Sequence, residues 1–179
     1  MSANLKQGVG LECRKWLNTM QEAHALLSAT MSILHPEMYA LGRLAMIKLW
    51  QTASTTHGAE ENNDMLDVLT LWPSVYNTLS VMVNRCSPYH VDINGKVEWF
   101  DQLLTVGKYE GLDMVFPRQQ LRLRYEAGTM IAFSGRLLVH GVGDVMGDRA
   151  CLAWYMQQKV HSALDIPTCH HATLGDISA

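Results

Sequence analysis

The sequence predicts an α+β fold in which a helical preamble leads into a double-sheet jelly roll. Up to about residue 73 the apolar residues recur in steps of three and four, the period of a helix face. Beyond Ser74 they alternate with polar residues in short stretches bounded by Gly, Pro, Asn or Asp, which is the pattern of strands. About eight such stretches are present, the number a double-sheet jelly roll needs. With 179 residues, 48% of them apolar, the chain is long enough for one core and short for two. A single domain over residues 1–179 is expected: a preamble over 1–73, a β core over 74–164 and an irregular tail over 165–179.

From Leu11, the positions Leu17, Met20, His24, Leu27, Met31 and Leu34 fall on one face, predicting one long amphipathic helix with His24 packed in its buried stripe. Pro36 and Glu37 suit the first turn of a second helix, expected to run to about Thr52. A polar stretch with Gly58 follows, and Asp64 is placed to cap a third helix through Leu71, ahead of Trp72-Pro73. The strands begin with Leu79, Val81 and Val83, alternating with Ser80, Met82 and Asn84. Further strands are expected around His90, then at Gln102 to Val106, Leu112 to Phe116, Leu121 to Tyr125, Thr129 to Phe133, Leu137 to His140 and Arg149 to Met156.

The net charge of −3 and the pI near 6.2 give no global positive field of the kind that marks many nucleic-acid binders. The four cysteines, Cys13, Cys86, Cys151 and Cys169, are scattered, with no C-x-x-C pair and no secretory signal, so an intracellular protein with reduced thiols is expected. The apolar stretch from Met38 to Trp50 is broken by Arg43 and Lys48 and falls short of a bilayer span, so no membrane partner is expected. In Cys169-His170-His171 the adjacent imidazoles point apart in regular structure, which favours a loose terminus over a metal site. Composition leaves the oligomeric state open, with a monomer as the default.

His90 and Asp92 are two residues apart, so on an extended strand both side chains leave the same face and reach one ion. His140, in Gly-Arg-Leu-Leu-Val-His-Gly-Val, supplies a second imidazole and completes a 2-His-1-carboxylate set, which leaves coordination positions open on a ferrous ion. The H-x-D pair alone is weak, since about 0.4 occurrences are expected by chance in a chain of this composition. Arg149 adds independent weight. It opens the apolar strand from Ala150 to Met156, and a guanidinium entering a β core is costly unless an anion meets it. Its two-bond fork suits the far carboxylate of a keto-diacid.

Read in order, Ser80-Val-Met-Val-Asn-Arg-Cys, His90-Val-Asp92, Leu103-Leu-Thr-Val-Gly107, Tyr125-Glu-Ala-Gly-Thr129, Phe133-Ser-Gly-Arg-Leu-Leu-Val-His-Gly-Val142 and Gly147-Asp-Arg-Ala-Cys-Leu-Ala-Trp-Tyr155 form a more specific series than any one motif. This series resembles the Fe(II)- and 2-oxoglutarate-dependent dioxygenases, within them the TET/JBP-like branch found widely in fungi. The resemblance covers residues 74–164 and implies a double-stranded β-helix, the cupin-like jelly roll, with the N-terminal helices packed on one sheet. It implies Fe(II) on His90, Asp92 and His140, which are thereby also the catalytic set. It implies 2-oxoglutarate on Arg149, with Asn84 helping to hold the co-substrate and Cys86 two along on the same face. Where some related dioxygenases carry a tyrosine after Asn-Arg, this chain has Cys86, for which a buried structural role is expected.

The chemistry implied is oxidative, with 2-oxoglutarate decarboxylated to succinate by O2 as a substrate C–H bond is oxidised. For this branch the implied substrate is a methylated nucleic-acid base, foremost 5-methylcytosine in DNA, with a role in DNA demethylation and nuclear residence. Such a base has to leave its stack to be reached, and Tyr89, Trp99 and Phe100 are the candidate walls of its pocket. Arg85, Lys96, Lys108, Arg118, Arg122 and Arg124 are available to phosphates, although Arg122 and Arg124 most simply form a solvated sheet face. Two alternatives stay open: the same chemistry on N6-methyladenine, a small molecule or a protein side chain, and a non-catalytic jelly-roll binding module.

Overall fold

The computed structural model describes residues 2–6, 10–55 and 60–177; the loop expected around Gly58 lies outside them. The chain divides into two compact units, residues 1–75 with 163–168 and 172–179, and residues 76–162 with 169–171.

The first unit is helical: α1 (Leu11–Thr19), α2 (Gln21–Leu34), α3 (Pro36–Thr55) and α4 (Glu60–Thr70). Where one long helix was expected, two form, because the Met20 N–H is shared between the carbonyls of Trp16 and Leu17, both at 3.1 Å, and this tightened turn ends α1. The buried stripe nevertheless continues across the break through Leu17, His24 and Met31. His24 lies fully buried between the rings of Trp16 and Trp72, with centroids 5.9 and 6.2 Å away, and burial lowers its pKa, favouring the neutral ring. α3 starts at Pro36, as its fixed φ favours. α4 starts at Glu60, ahead of Asp64, so Asp64 is not its cap. Its carboxylate instead receives Arg14 Nη2 at 2.6 Å across the helices.

The tail is not wholly irregular. It includes a short helix, Leu174–Ile177, whose first turn is fixed by Thr173, with N–H and Oγ1 both donating to Asp176 Oδ2 at 2.6 and 2.9 Å.

The second unit holds eight strands among the described residues: β1 (Thr78–Val83), β2 (Ser87–His90), β3 (Asp101–Glu110), β4 (Asp113–Phe116), β5 (Leu121–Arg124), β6 (Met130–Phe133), β7 (His140–Val142) and β8 (Met146–Tyr155), followed by α5 (Gln158–Ala163). They form two four-stranded sheets, ordered β1-β8-β3-β6 and β2-β7-β4-β5, with every pairing antiparallel. The chain passes repeatedly from one sheet to the other, which is the winding of a double-stranded β-helix.

Side chains from both sheets interlock in one core: Leu103, Phe133 and Cys151 from the first, Met114, Phe116 and Val142 from the second. Phe116 and Phe133 meet edge to face at 5.0 Å. Full burial of side chains of this size stabilises by roughly 1.5–3 kcal/mol each. The strand expected over Leu137 to His140 starts only at His140, because the N–H groups of Leu137 and Leu138 both turn back to the Ser134 carbonyl. No described helix is long and apolar enough to cross a membrane.

Candidate functional site

His90 is the last residue of β2 and His140 the first of β7, and the two are direct partners across that antiparallel pair, with ring centroids 4.4 Å apart. Gly141, next to His140, is where β2 approaches most closely: a Cβ there would stand 2.7 Å from the Ser87 carbonyl oxygen and 2.9 Å from the Tyr89 ring. Asp92 lies beyond the end of β2 rather than on it, so strand alternation is not what aims it. Its N–H donates to the Gly135 carbonyl at 2.9 Å, tying the segment after β2 to the turn after β6. The carboxylate then stands between the two rings, Oδ1 3.7 Å from His90 Nε2 and Oδ2 3.7 Å from His140 Nε2.

The donor set fits a divalent metal. Its three ligand atoms lie within 4.8 Å of one another. Nδ1 of His90 is 2.7 Å from the Pro88 carbonyl and Nδ1 of His140 is 3.0 Å from the Leu138 carbonyl. A carbonyl only accepts, so each Nδ1 carries the proton and each Nε2 turns a lone pair toward Asp92. His140 is buried and rests edge-on against Phe133 at 4.7 Å, and burial lowers its pKa, keeping the imidazole in the ligating form. Two imidazoles and one carboxylate with open positions suit non-haem Fe(II).

Arg149, on β8, lines the same cavity as these three residues. It is only 4% exposed, and among the described residues no carboxylate pairs with its guanidinium. Its Nε donates to Thr105 Oγ1 at 2.9 Å, the Thr105 hydroxyl meets Tyr109 Oη at 2.7 Å, and Tyr109 Oη donates to the Tyr125 carbonyl at 2.7 Å. The guanidinium also lies over the Tyr125 ring, 5.1 Å from its centroid. A buried cation this firmly oriented, with no anion of its own, fits the carboxylate of a ligand.

The sequence-based expectations fare unevenly around this core. Asn84 takes a left-handed conformation, φ 48°, which breaks the alternation of β1 and turns its exposed side chain to the chain beside it. Its Oδ1 accepts the Arg149 N–H at 2.7 Å and its own N–H donates to the Arg149 carbonyl at 2.9 Å, so it clamps the backbone of Arg149 and does not line the cavity. Cys86 is exposed, not buried, and also lies outside the cavity lining. Tyr89 (61% exposed), Trp99 and Phe100 do not line it either. Trp99 is packed against His161, and Phe100 is held through its carbonyl by Tyr76 Oη. Of the basic side chains, Arg85 lines the cavity, whereas Arg122 and Arg124 face Asp113 and Glu126 on the solvated side of β5.

One cavity residue was missed. Asp101 opens β3, buried and lining the cavity in phase with Leu103. Burial, and next the charge of Asp92, push its carboxyl up to about 8, against the lowering effect of a hydrogen bond from the Gly135 N–H. Asp92 and Asp101 meet over Gly135, where an added Cβ would strike Oδ2 of both. The available signal was the alternation Asp101, Leu103, Thr105 on one face of β3.

A family model described as the oxygenase domain of the 2OGFeDO superfamily, Tet_JBP, matches residues 5–158. The chain belongs to that family. The superfamily uses Fe(II), 2-oxoglutarate and O2, the set that the His-Asp-His cluster and the buried Arg149 fit. Among solved structures, the Tet_JBP chain is similar to NgTET1 in complex with 5mC DNA, at a TM-score of 0.60 and 13% identity, covering 99% of this chain and 61% of that one. At that identity the likeness shows a shared fold. Comparison with curated proteins gives no match.

Proposed function

We propose that this Tet_JBP protein is a Fe(II)- and 2-oxoglutarate-dependent dioxygenase that oxidises a methylated base, 5-methylcytosine in DNA foremost. The observation that carries the chemistry is the buried Arg149, without a carboxylate partner among the described residues, in one cavity with His90, Asp92 and His140. The substrate class is supported by the family match and by the likeness to a protein whose structure was solved with 5mC DNA. With chromosomal DNA as substrate, the protein would work in the nucleus.

In this reading Nε2 of His90, Nε2 of His140 and the Asp92 carboxylate hold the iron, and the Arg149 fork holds the far carboxylate of 2-oxoglutarate. Thr105 fixes the plane of that fork through Nε, and Asn84 fixes its backbone. Phe133 and Phe116 keep water from the flank of His140. When bound, iron with 2-oxoglutarate and O2 supplies the oxidising equivalents for hydroxylation of a C–H bond, with release of succinate and carbon dioxide. The Pro88 and Leu138 carbonyls each accept from Nδ1, which fixes the orientation of both rings and leaves Nε2 as the ligating atom.

The test is succinate release from the full chain with Fe(II) and 2-oxoglutarate, comparing oligonucleotides with and without 5-methylcytosine. Release should rise with the methylated strand and yield a base heavier by one oxygen. Stimulation by no modified base would refute the substrate class.

A further inference from the structure

We propose that Asp101 is a specificity-determining residue, its carboxyl oxygen accepting a hydrogen bond from an N–H or O–H group of the substrate; the inference rests on the function proposed above. The register of the first sheet locates it. Arg149 lies opposite Gly107, Cys151 opposite Thr105 and Ala153 opposite Leu103. Asp101 is the next position of β3 on that face, six residues from the level of Arg149, or about 20 Å at ~3.3 Å per residue. Asp101 adjoins Asp92 over Gly135, which puts it beside the candidate metal ligands, at the other end of that face of β3 from Arg149.

The side chain also faces open space. Asp101 lines the cavity, receives the Gly135 N–H, and pairs with no Lys or Arg among the described residues. A carboxyl group has several acceptor sites, and a donor carried in by the substrate meets one of them. On 5-methylcytosine the donor is the exocyclic amino group, at the position where thymine, which bears the same methyl, presents an oxygen.

The experiment compares the wild-type full chain with Asp101→Ala and Asp101→Asn, on oligonucleotides carrying 5-methylcytosine or thymine at one position. For Asp101→Ala, kcat/KM on the 5-methylcytosine strand should fall 10- to 100-fold, mainly through KM, the size expected of a lost polar contact to substrate. Asp101→Ala should also narrow the preference over thymine at least tenfold, whereas Asp101→Asn, which keeps an oxygen acceptor, should hold activity on 5-methylcytosine within about fivefold of wild type. In both variants the anaerobic absorbance band of the Fe(II) and 2-oxoglutarate complex should persist. An unchanged KM or an unchanged preference in Asp101→Ala, a loss in Asp101→Asn as large as in Asp101→Ala, or a lost absorbance band would overturn the inference, the last by making Asp101 a support for Asp92. A wild-type protein that the 5-methylcytosine strand does not stimulate would end the 5-methylcytosine reading of the proposed function and this inference with it. A wild type stimulated by 5-methylcytosine whose variants behave alike would end the inference only.

Discussion

Replacing Arg149 by methionine separates the two roles of a buried cation. In the free protein the guanidinium is 4% exposed and, among the described residues, has no carboxylate partner; its desolvation is offset by Thr105 Oγ1 at 2.9 Å, the Arg85 carbonyl at 3.4 Å, and the hydroxyl and the ring face of Tyr125, the latter at 5.1 Å. A hydrophobic side chain of similar length removes that desolvation cost, and Thr105 keeps its bond to Tyr109. The stability of the metal-free protein should therefore change by no more than about 1 kcal/mol. Binding of 2-oxoglutarate should suffer far more. Its distal carboxylate would enter a buried site with no cation, and removing one partner of such a pair costs roughly 3–4 kcal/mol, or about 100- to 1,000-fold in affinity. The assay is an anaerobic titration of 2-oxoglutarate into the Fe(II) protein, followed by visible absorbance, alongside thermal melts with and without the ligand. Unaltered affinity would refute the assignment of Arg149. A free protein destabilised by 3 kcal/mol or more would show that the guanidinium is a structural element whose contacts outweigh its desolvation.

Three further outcomes follow from the same geometry. Gly135→Ala drives a methyl group against both Asp92 and Asp101, so Fe(II) affinity should fall about 10- to 100-fold, read by metal titration, while Gly143→Ala, open at that position, should leave it unchanged. Asn84→Ala loses the bond to the Arg149 N–H and keeps the left-handed backbone, so chemical denaturation should show a loss of about 1–2 kcal/mol, with a several-fold higher KM for 2-oxoglutarate; Asn84→Gly, which relieves the backbone, should lose less stability. His161 is buried against Trp99, and burial, then the Lys96 charge, lower its pKa from 6.5 to about 4. The folded state keeps the ring neutral while the unfolded state takes up a proton, so this contribution is complete above pH 6.5 and is lost as the pH falls toward 4. Its size is on the order of 3 kcal/mol, and His161→Phe should flatten that part of the stability profile.

The sequence was legible where chemistry and period coincide. His90 and His140 each stand at a strand end, and the β2–β7 register brings them together, although the spacing argument for Asp92 reached the right neighbourhood by the wrong route, since the Gly135 carbonyl, not a strand, holds it. Arg149, a lone cation at the head of an apolar stretch, is buried and lines the same cavity. The errors arise where local backbone departs from the period. A left-handed residue at 84 shifts the phase after Val83, so Arg85 and Ser87 line the cavity in place of Asn84 and Cys86. The shared N–H at Met20 cut one helix into two without disturbing its buried stripe. Tyr89, Trp99 and Phe100 stand near the ligands in sequence, yet two sheets wound through each other carry sequence neighbours to different faces. Asp101 is not legible in the sequence, because a polar residue at a strand start reads as a boundary until the facing strand is known.

Isotope tracing with 18O2 probes the central claim most directly. The full chain, supplied with Fe(II), 2-oxoglutarate and a 5-methylcytosine oligonucleotide, should place one labelled oxygen in succinate and form oxidised base in step with it. Asp92→Ala and Arg149→Met should form neither product. Succinate without label, or labelled succinate whose formation the methylated strand does not accelerate and which no oxidised base accompanies, would contradict the account.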